Sequence, residues 1–235
     1  MDRETQVTDG SNALHIRAEL KTPRAAAIAG ILFSVLMITS LWLLRLSVPV
    51  GPLETGAWLE TSTERVSLAL NLVPFAGIAF LWFIGVLRDR LGRSEDRFFA
   101  TVFLGSGLLF VGMLFVAAAS IGGLITAHSA QPKALREAAA FTFGRAFTFD
   151  IMNVYAIKMA AVFMIIASTL ATRTHVTARW IALLGYVTAA FLLLGSGWFD
   201  WALFVFPAWA LLMSSYILVD NMRGSPPVAS GKDEQ

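Results

Sequence analysis

The sequence predicts an all-α integral membrane protein, with six transmembrane helices in one bundle and a short interfacial helix between helices 3 and 4. Three observations carry this. Hydrophobic residues make up 57% of the 235 residues and charged ones 14%, against about 25% charged in an ordinary soluble domain. Six apolar stretches lie at 25–48, 66–87, 98–126, 151–171, 178–195 and 198–219. Each meets or approaches the roughly 20 residues a helix needs to cross about 30 Å of hydrocarbon. Almost every charge falls between them, so the chain divides into a polar tail over 1–24, a membrane domain over 25–219 and a disordered polar tail over 220–235.

The first stretch follows a polar segment of mixed charge and is 24 residues long. A cleaved signal has a shorter apolar core and small residues after it, so a retained helix is expected. The chain has no cysteine, which excludes disulfides, zinc–thiolate sites, iron–sulfur clusters and cysteine nucleophiles. A net charge of +2, with no long basic run, gives no footprint for nucleic acid.

Topology follows from the basic residues. Arg3, Arg17, Lys21, Arg24, Arg88, Arg90, Arg93, Arg97, Arg173, Arg179, Arg223 and Lys232 make twelve on one side, while Arg45, Arg65, Lys133, Arg136 and Arg145 make five on the other. Short loops rich in arginine and lysine stay in the cytoplasm. Both termini are therefore expected there, in a plasma (inner) membrane protein. The Arg88–Arg97 cluster also suits anionic lipid, but the same arginines are what sets topology.

Along the spans, Trp42, Trp58, Trp198 and Trp201 fall at the expected outer boundary and Trp180 at the inner one, where an indole meets both water and lipid. Trp82 and Trp209 lie deeper and are expected inside the bundle. Thr61 and Glu64 fit a capping box opening helix two. Within that helix, Pro74 frees a backbone carbonyl that Asn71 could satisfy, and Pro207 repeats the situation in span six.

Span three is rich in small residues. Ala118 with Gly122, and Ala119 with Gly123, have the spacing that lets helix backbones approach, either within one bundle or between copies in a homo-oligomer. The third outer loop, 127–149, is expected to hold a short helix from Pro132 to Ala140, then Phe141, Phe143, Phe147 and Phe149 resting in the headgroup layer. Spans one and five each carry a glycine six residues after an arginine, Gly30 after Arg24 and Gly185 after Arg179. The unequal loops weigh against an internal repeat.

Lys158 is the ionisable residue clearly inside a span. A charged lysine at bilayer centre costs on the order of 3 kcal/mol, less if it snorkels. Measured from position 151 it lies seven residues in, about 10 Å from the outer end. One reading is a snorkelling or internally paired structural lysine. The other is a cation facing a water-filled cavity. Candidate neighbours are Asp150, Asn153, Tyr155, Arg45 and Asp200, with Arg45 equally able to pair with Asp200 or Glu54.

Enzymatic chemistry has little support in the pattern. His15, His128 and His175 are scattered without metal-ligand spacing, and the serines of the spans, such as Ser34, Ser40, Ser106 and Ser168, have no activating base nearby. No cofactor is implied. The leading expectation is a small ion channel or small-solute transporter whose intramembrane Lys158 attracts an anion. Its partners would be the lipid bilayer, the solute and possible further copies of itself, and no nucleic acid. A non-transporting membrane scaffold or accessory subunit that binds a partner protein is the alternative. A membrane-embedded lipid-processing enzyme comes third.

Overall fold

The computed structural model describes residues 3–49, 51, 56–91, 97–132, 139–173, 177–195, 199 and 201–223. Helices are α1 (Arg3–Ser47), α2 (Trp58–Thr61), α3 (Thr63–Leu91), α4 (Arg97–Ala130), α5 (Ala139–Arg173), α6 (Arg179–Gly195) and α7 (Ala202–Arg223), with no strand among the described residues. Five helical segments are long and apolar enough to cross a membrane: Arg24–Ser47, Thr63–Leu87, Phe98–Ala130, Ala139–Arg173 and Ala202–Met222. That is the make-up of an integral membrane protein. The remaining apolar helix, α6, has 17 residues, about 26 Å at 1.5 Å per residue.

Phenylalanine organises the core. Phe33 of α1, Phe80 and Phe83 of α3, Phe103 and Phe110 of α4, Phe163 of α5 and Phe206 of α7 meet on the axis, none more than 4% exposed. Their ring centroids lie 4.6 to 6.4 Å apart, mostly tilted or edge to face. These are the arrangements aromatic quadrupoles favour, worth about 0.5–1.5 kcal/mol per pair beyond area burial. Lipid is as apolar as this core, so close packing has to hold the helices together.

Glycine notches supply that closeness. A Cβ on Gly30 would fall on the Oγ of Ser214 in α7, and one on Gly185 would fall on the Oγ of Ser168 in α5. Both hydroxyls are fully buried and, among the described residues, have no hydrogen-bond partner. Each occupies the space of a missing methyl, and Gly30 and Gly185 mark two helix crossings.

One end of the bundle is capped by α2. Trp58 and Leu59 of α2 bury against Val66, Ile121, Leu124 and Phe141. Arg145, 5% exposed, donates from Nη2 to the carbonyls of Pro49 at 3.1 Å and Gly51 at 2.6 Å, and its guanidinium lies 5.9 Å from the Trp58 ring. The two N–H groups of one guanidinium nitrogen can serve two convergent carbonyls. This end is called the cap end below.

Several expectations change here. Helix four begins at Ala139 instead of 151, so most of the expected loop is helix. Phe141 is buried in the cap, while Phe143 is exposed and stacks on Phe147 at 5.8 Å. The expected interfacial helix from Pro132 falls largely on residues 133–138, outside the described residues. Gly144 and Arg145 interrupt the apolar pattern, which is why the segment reads as loop. The structure instead packs Gly144 beside Leu124 and buries Arg145 against backbone carbonyls.

α1 extends to Arg3, through the segment expected as a tail, and the carboxyl tail from 224 lies outside the described residues. Thr61 ends α2 and bonds back to the Ala57 carbonyl, while the first acceptor of α3 is the Ser62 carbonyl, 3.0 Å from Val66 N–H. The capping box therefore does not form as spaced. Trp209 is buried as expected, but Trp82 is 70% exposed. It shares a stripe with Phe75 and Ile78, opposite the face that carries Phe80 and Phe83.

Candidate functional site

Four of the polar residues singled out from sequence converge on one irregularity. Within α5, Ile151–Ala156 is a π-helix, followed by Ile157 N–H bonding to the Met152 carbonyl. In a π-turn each N–H reaches five residues back instead of four, so the segment holds one residue more than α geometry would. Asp150 precedes it, Asn153 and Tyr155 lie in it, and Lys158 follows by two. Such segments occur frequently at functional positions. Asn153 donates from Nδ2 to the Phe149 carbonyl at 3.0 Å, adding a side-chain donor where the backbone pattern is disturbed.

The new start of α5 changes where Lys158 lies along its helix. It lies nineteen residues from Ala139 and fifteen from Arg173, near the middle of the helix rather than seven residues from its end. Two packing pairs fix its level against the neighbours. Thr169 Oγ1 and Tyr186 Oη are 2.8 Å apart. Lys158 lies eleven residues toward the cap from Thr169, and Gly195 nine residues toward the cap from Tyr186, or about 16 and 14 Å. Likewise Phe163 and Phe206 pack at 5.8 Å, and Lys158 and Trp201 each lie five residues toward the cap from them.

Lys158 is therefore level with Gly195, at the cap-side end of α6, and with Trp201, just before α7. It sits one helical turn or so above the phenylalanine plug. The lysine is half-buried, on the partly covered stripe of α5 that continues through Val162, Ile165 and Thr169. Among the described residues, none hydrogen-bonds or ion-pairs with it. Asp150 and Tyr155 are exposed, and Asn153 is half-buried. Arg45 ends α1 at this side, with its guanidinium 5.1 Å from the Trp201 ring. Asp200 and Glu54 lie outside the described residues.

Asn71 is elsewhere. It is exposed on α3, has no hydrogen bond among the described residues, and so leaves the carbonyl before Pro74 to other partners. With Ser67, Pro74, Phe115, Ala118, Ala119, Gly122 and Thr126 it lines an open groove of about 420 Å³ between α3 and α4. A Cβ at Gly122 or Gly123 would meet nothing within 4 Å. Among the described residues, no helix fills the space at Gly122 and Gly123, while Ala118 packs against the core.

The serines of the spans mostly bond to backbone. Ser34 donates to the Gly30 carbonyl at 2.7 Å, Ser40 to Ala69 at 2.8 Å and Ser106 to Phe103 at 3.2 Å. Among the described residues no group of three His, Cys, Asp or Glu could hold a metal.

Two features escaped the sequence reading. The π-segment has no compositional mark, since Ile151 to Ala156 would suit an α-helix equally. Arg145 counts as a loop charge in the sequence, and nothing beside it marks a buried, backbone-bonded guanidinium. No model of a known protein family matches the chain, and neither a curated protein nor a solved structure matches it.

Proposed function

We infer that the chain is a six-helix membrane protein, α6 being the sixth span, that passes a small anion or anionic solute and is closed in this state. Seventeen residues lie at the short end of the range that spans a bilayer. The arginine distribution supports cytoplasmic termini, which makes the cap end external. Lys158 carries the reading. An ionisable residue within a membrane-spanning segment is costly in lipid and usually faces the bundle interior or a water-filled path. Here it has no protein partner among the described residues and stands beside an irregular helical turn. Below it, Phe163 and Phe206 would act as an apolar constriction of the kind that gates by excluding water.

The constriction is testable. Truncating both Phe163 and Phe206 to alanine is expected to raise anion leak through purified protein in liposomes above that of wild type. Equal leak, with the fold intact by circular dichroism, would remove the constriction and its passage.

A second reading rests on a different observation. The open groove beside Asn71 and Gly122 suits a non-transporting component that binds a partner helix, because small residues permit backbone approach and an amide in lipid seeks a hydrogen bond. Gly122→Leu would then abolish co-purification of the partner, or of a second copy, without changing any flux.

A further inference from the structure

We propose that the π-segment Ile151–Ala156 is a swivel within α5, held by Asn153, that sets the line between Asp150 and Lys158. The phase of the helix is the argument. At 3.6 residues per turn each residue advances about 100°. Eight residues of pure α-helix would leave Asp150 about 80° round the axis from Lys158. The π-segment absorbs one residue, so the separation falls to about 20°. Burial agrees with this phase. Asp150, Val154 and Tyr155 are exposed and continue the partly covered stripe of Lys158, Val162, Ile165 and Thr169.

Both halves of α5 are anchored. The cap-side half is held by Arg145 on the Pro49 and Gly51 carbonyls, and by Gly144 beside Leu124. The far half is held by Ser168 in the Gly185 notch and by Thr169 on Tyr186. Conversion of the π-segment to α-helix must therefore turn one half against the other by about 100° and shift it by about 1.5 Å. The cap-side half is the one to move, because its anchors are a small satellite cluster whereas the far half is part of the main core.

The turn would carry the Asp150 carboxylate off the Lys158 stripe and leave the ammonium's field less opposed. That consequence rests on the reading of Lys158 as an anion-attracting charge. The swivel itself does not.

The test measures distance by pulsed electron paramagnetic resonance between spin labels at Thr142, on the cap-side half, and Leu183, on α6. Both positions are exposed. A 100° turn moves a side chain on a cylinder 10–12 Å across by on the order of 8 Å. Asn153→Leu removes the amide that holds the π-turn and is expected to shift the distribution to a second distance. Deleting Val154 shortens the segment by the one extra residue. It should give a continuous α-helix with both halves in place, one distance, and a melting temperature close to wild type. Deleting Ala161, in the regular part of α5, should lower it sharply.

A distribution unmoved by Asn153→Leu would overturn the swivel, as would a Val154 deletion as damaging as that of Ala161. Two distances without any anion flux would keep the swivel and remove the transport reading, so the two fail separately.

Discussion

Gly30 offers the sharpest perturbation of the packing. A Cβ there would coincide with Ser214 Oγ and stand 2.9 Å from Phe83 Cδ2 and 3.0 Å from Cε2, where ordinary contact begins at 3.4 Å. Ser214 can rotate. Phe83 has less freedom, being 0% exposed and packed between Phe80 and Phe163. Gly30→Ala must then push α1 and α3 apart or move the ring by about half an ångström. Overpacking of this kind costs about 1–3 kcal/mol, or roughly 2–4 °C in Tm per kcal/mol for a chain of this size. The assay is thermal unfolding in detergent followed by tryptophan fluorescence. Ser214→Ala removes a buried hydroxyl that has no partner among the described residues, so it should be neutral or stabilising. Combined with Gly30→Ala it should recover part of the loss. A Gly30→Ala protein melting with wild type, or a double variant no better than the single, would refute the notch.

Further outcomes are expected elsewhere. Arg145→Met should loosen α2, seen as faster thiol labelling of a cysteine at Ala57, with stability lowered by about 1–3 kcal/mol because two partly buried carbonyls lose a charged donor. Trp82→Leu should leave the melting temperature within a few degrees of wild type, since Trp82 faces outward, whereas Trp209→Leu should lower it clearly. Single cysteines at Ser129 and Met222 should differ in intact cells, position 129 reacting with an impermeant thiol reagent and position 222 not; the reverse would invert the topology.

The membrane helices were legible because the bilayer imposes one rule, a long apolar run, on every span. Starts and stops were less so. Phe141 to Phe149 looked like a loop since Gly144 and Arg145 break the run, and only tertiary contacts show that arginine can be buried by carbonyls from a connection nearly a hundred residues away. That error hid the nineteen residues of α5 that precede Lys158, although packing still sets this lysine level with the cap-side end of α6. The polar candidates Asp150, Asn153 and Lys158 stood out by composition, but what joins them does not. A π-turn is a difference of hydrogen-bond register among ordinary residues, invisible to periodicity until the whole helix is in place. Trp82 was misplaced for a related reason: depth along a helix can be counted from sequence, whereas which face meets lipid depends on how the neighbours pack.

The charge at position 158 carries the functional claim. The measurement is anion against cation selectivity of the purified protein in liposomes, for wild type, Lys158→Met and Lys158→Glu. Methionine keeps the apolar stem and removes the charge, and glutamate reverses the local potential that a permeating ion meets. The expected result is anion preference in wild type, its loss in the methionine variant and cation preference in the glutamate variant. No flux in wild type, or one selectivity shared by all three, would contradict the account and leave Lys158 a structural residue.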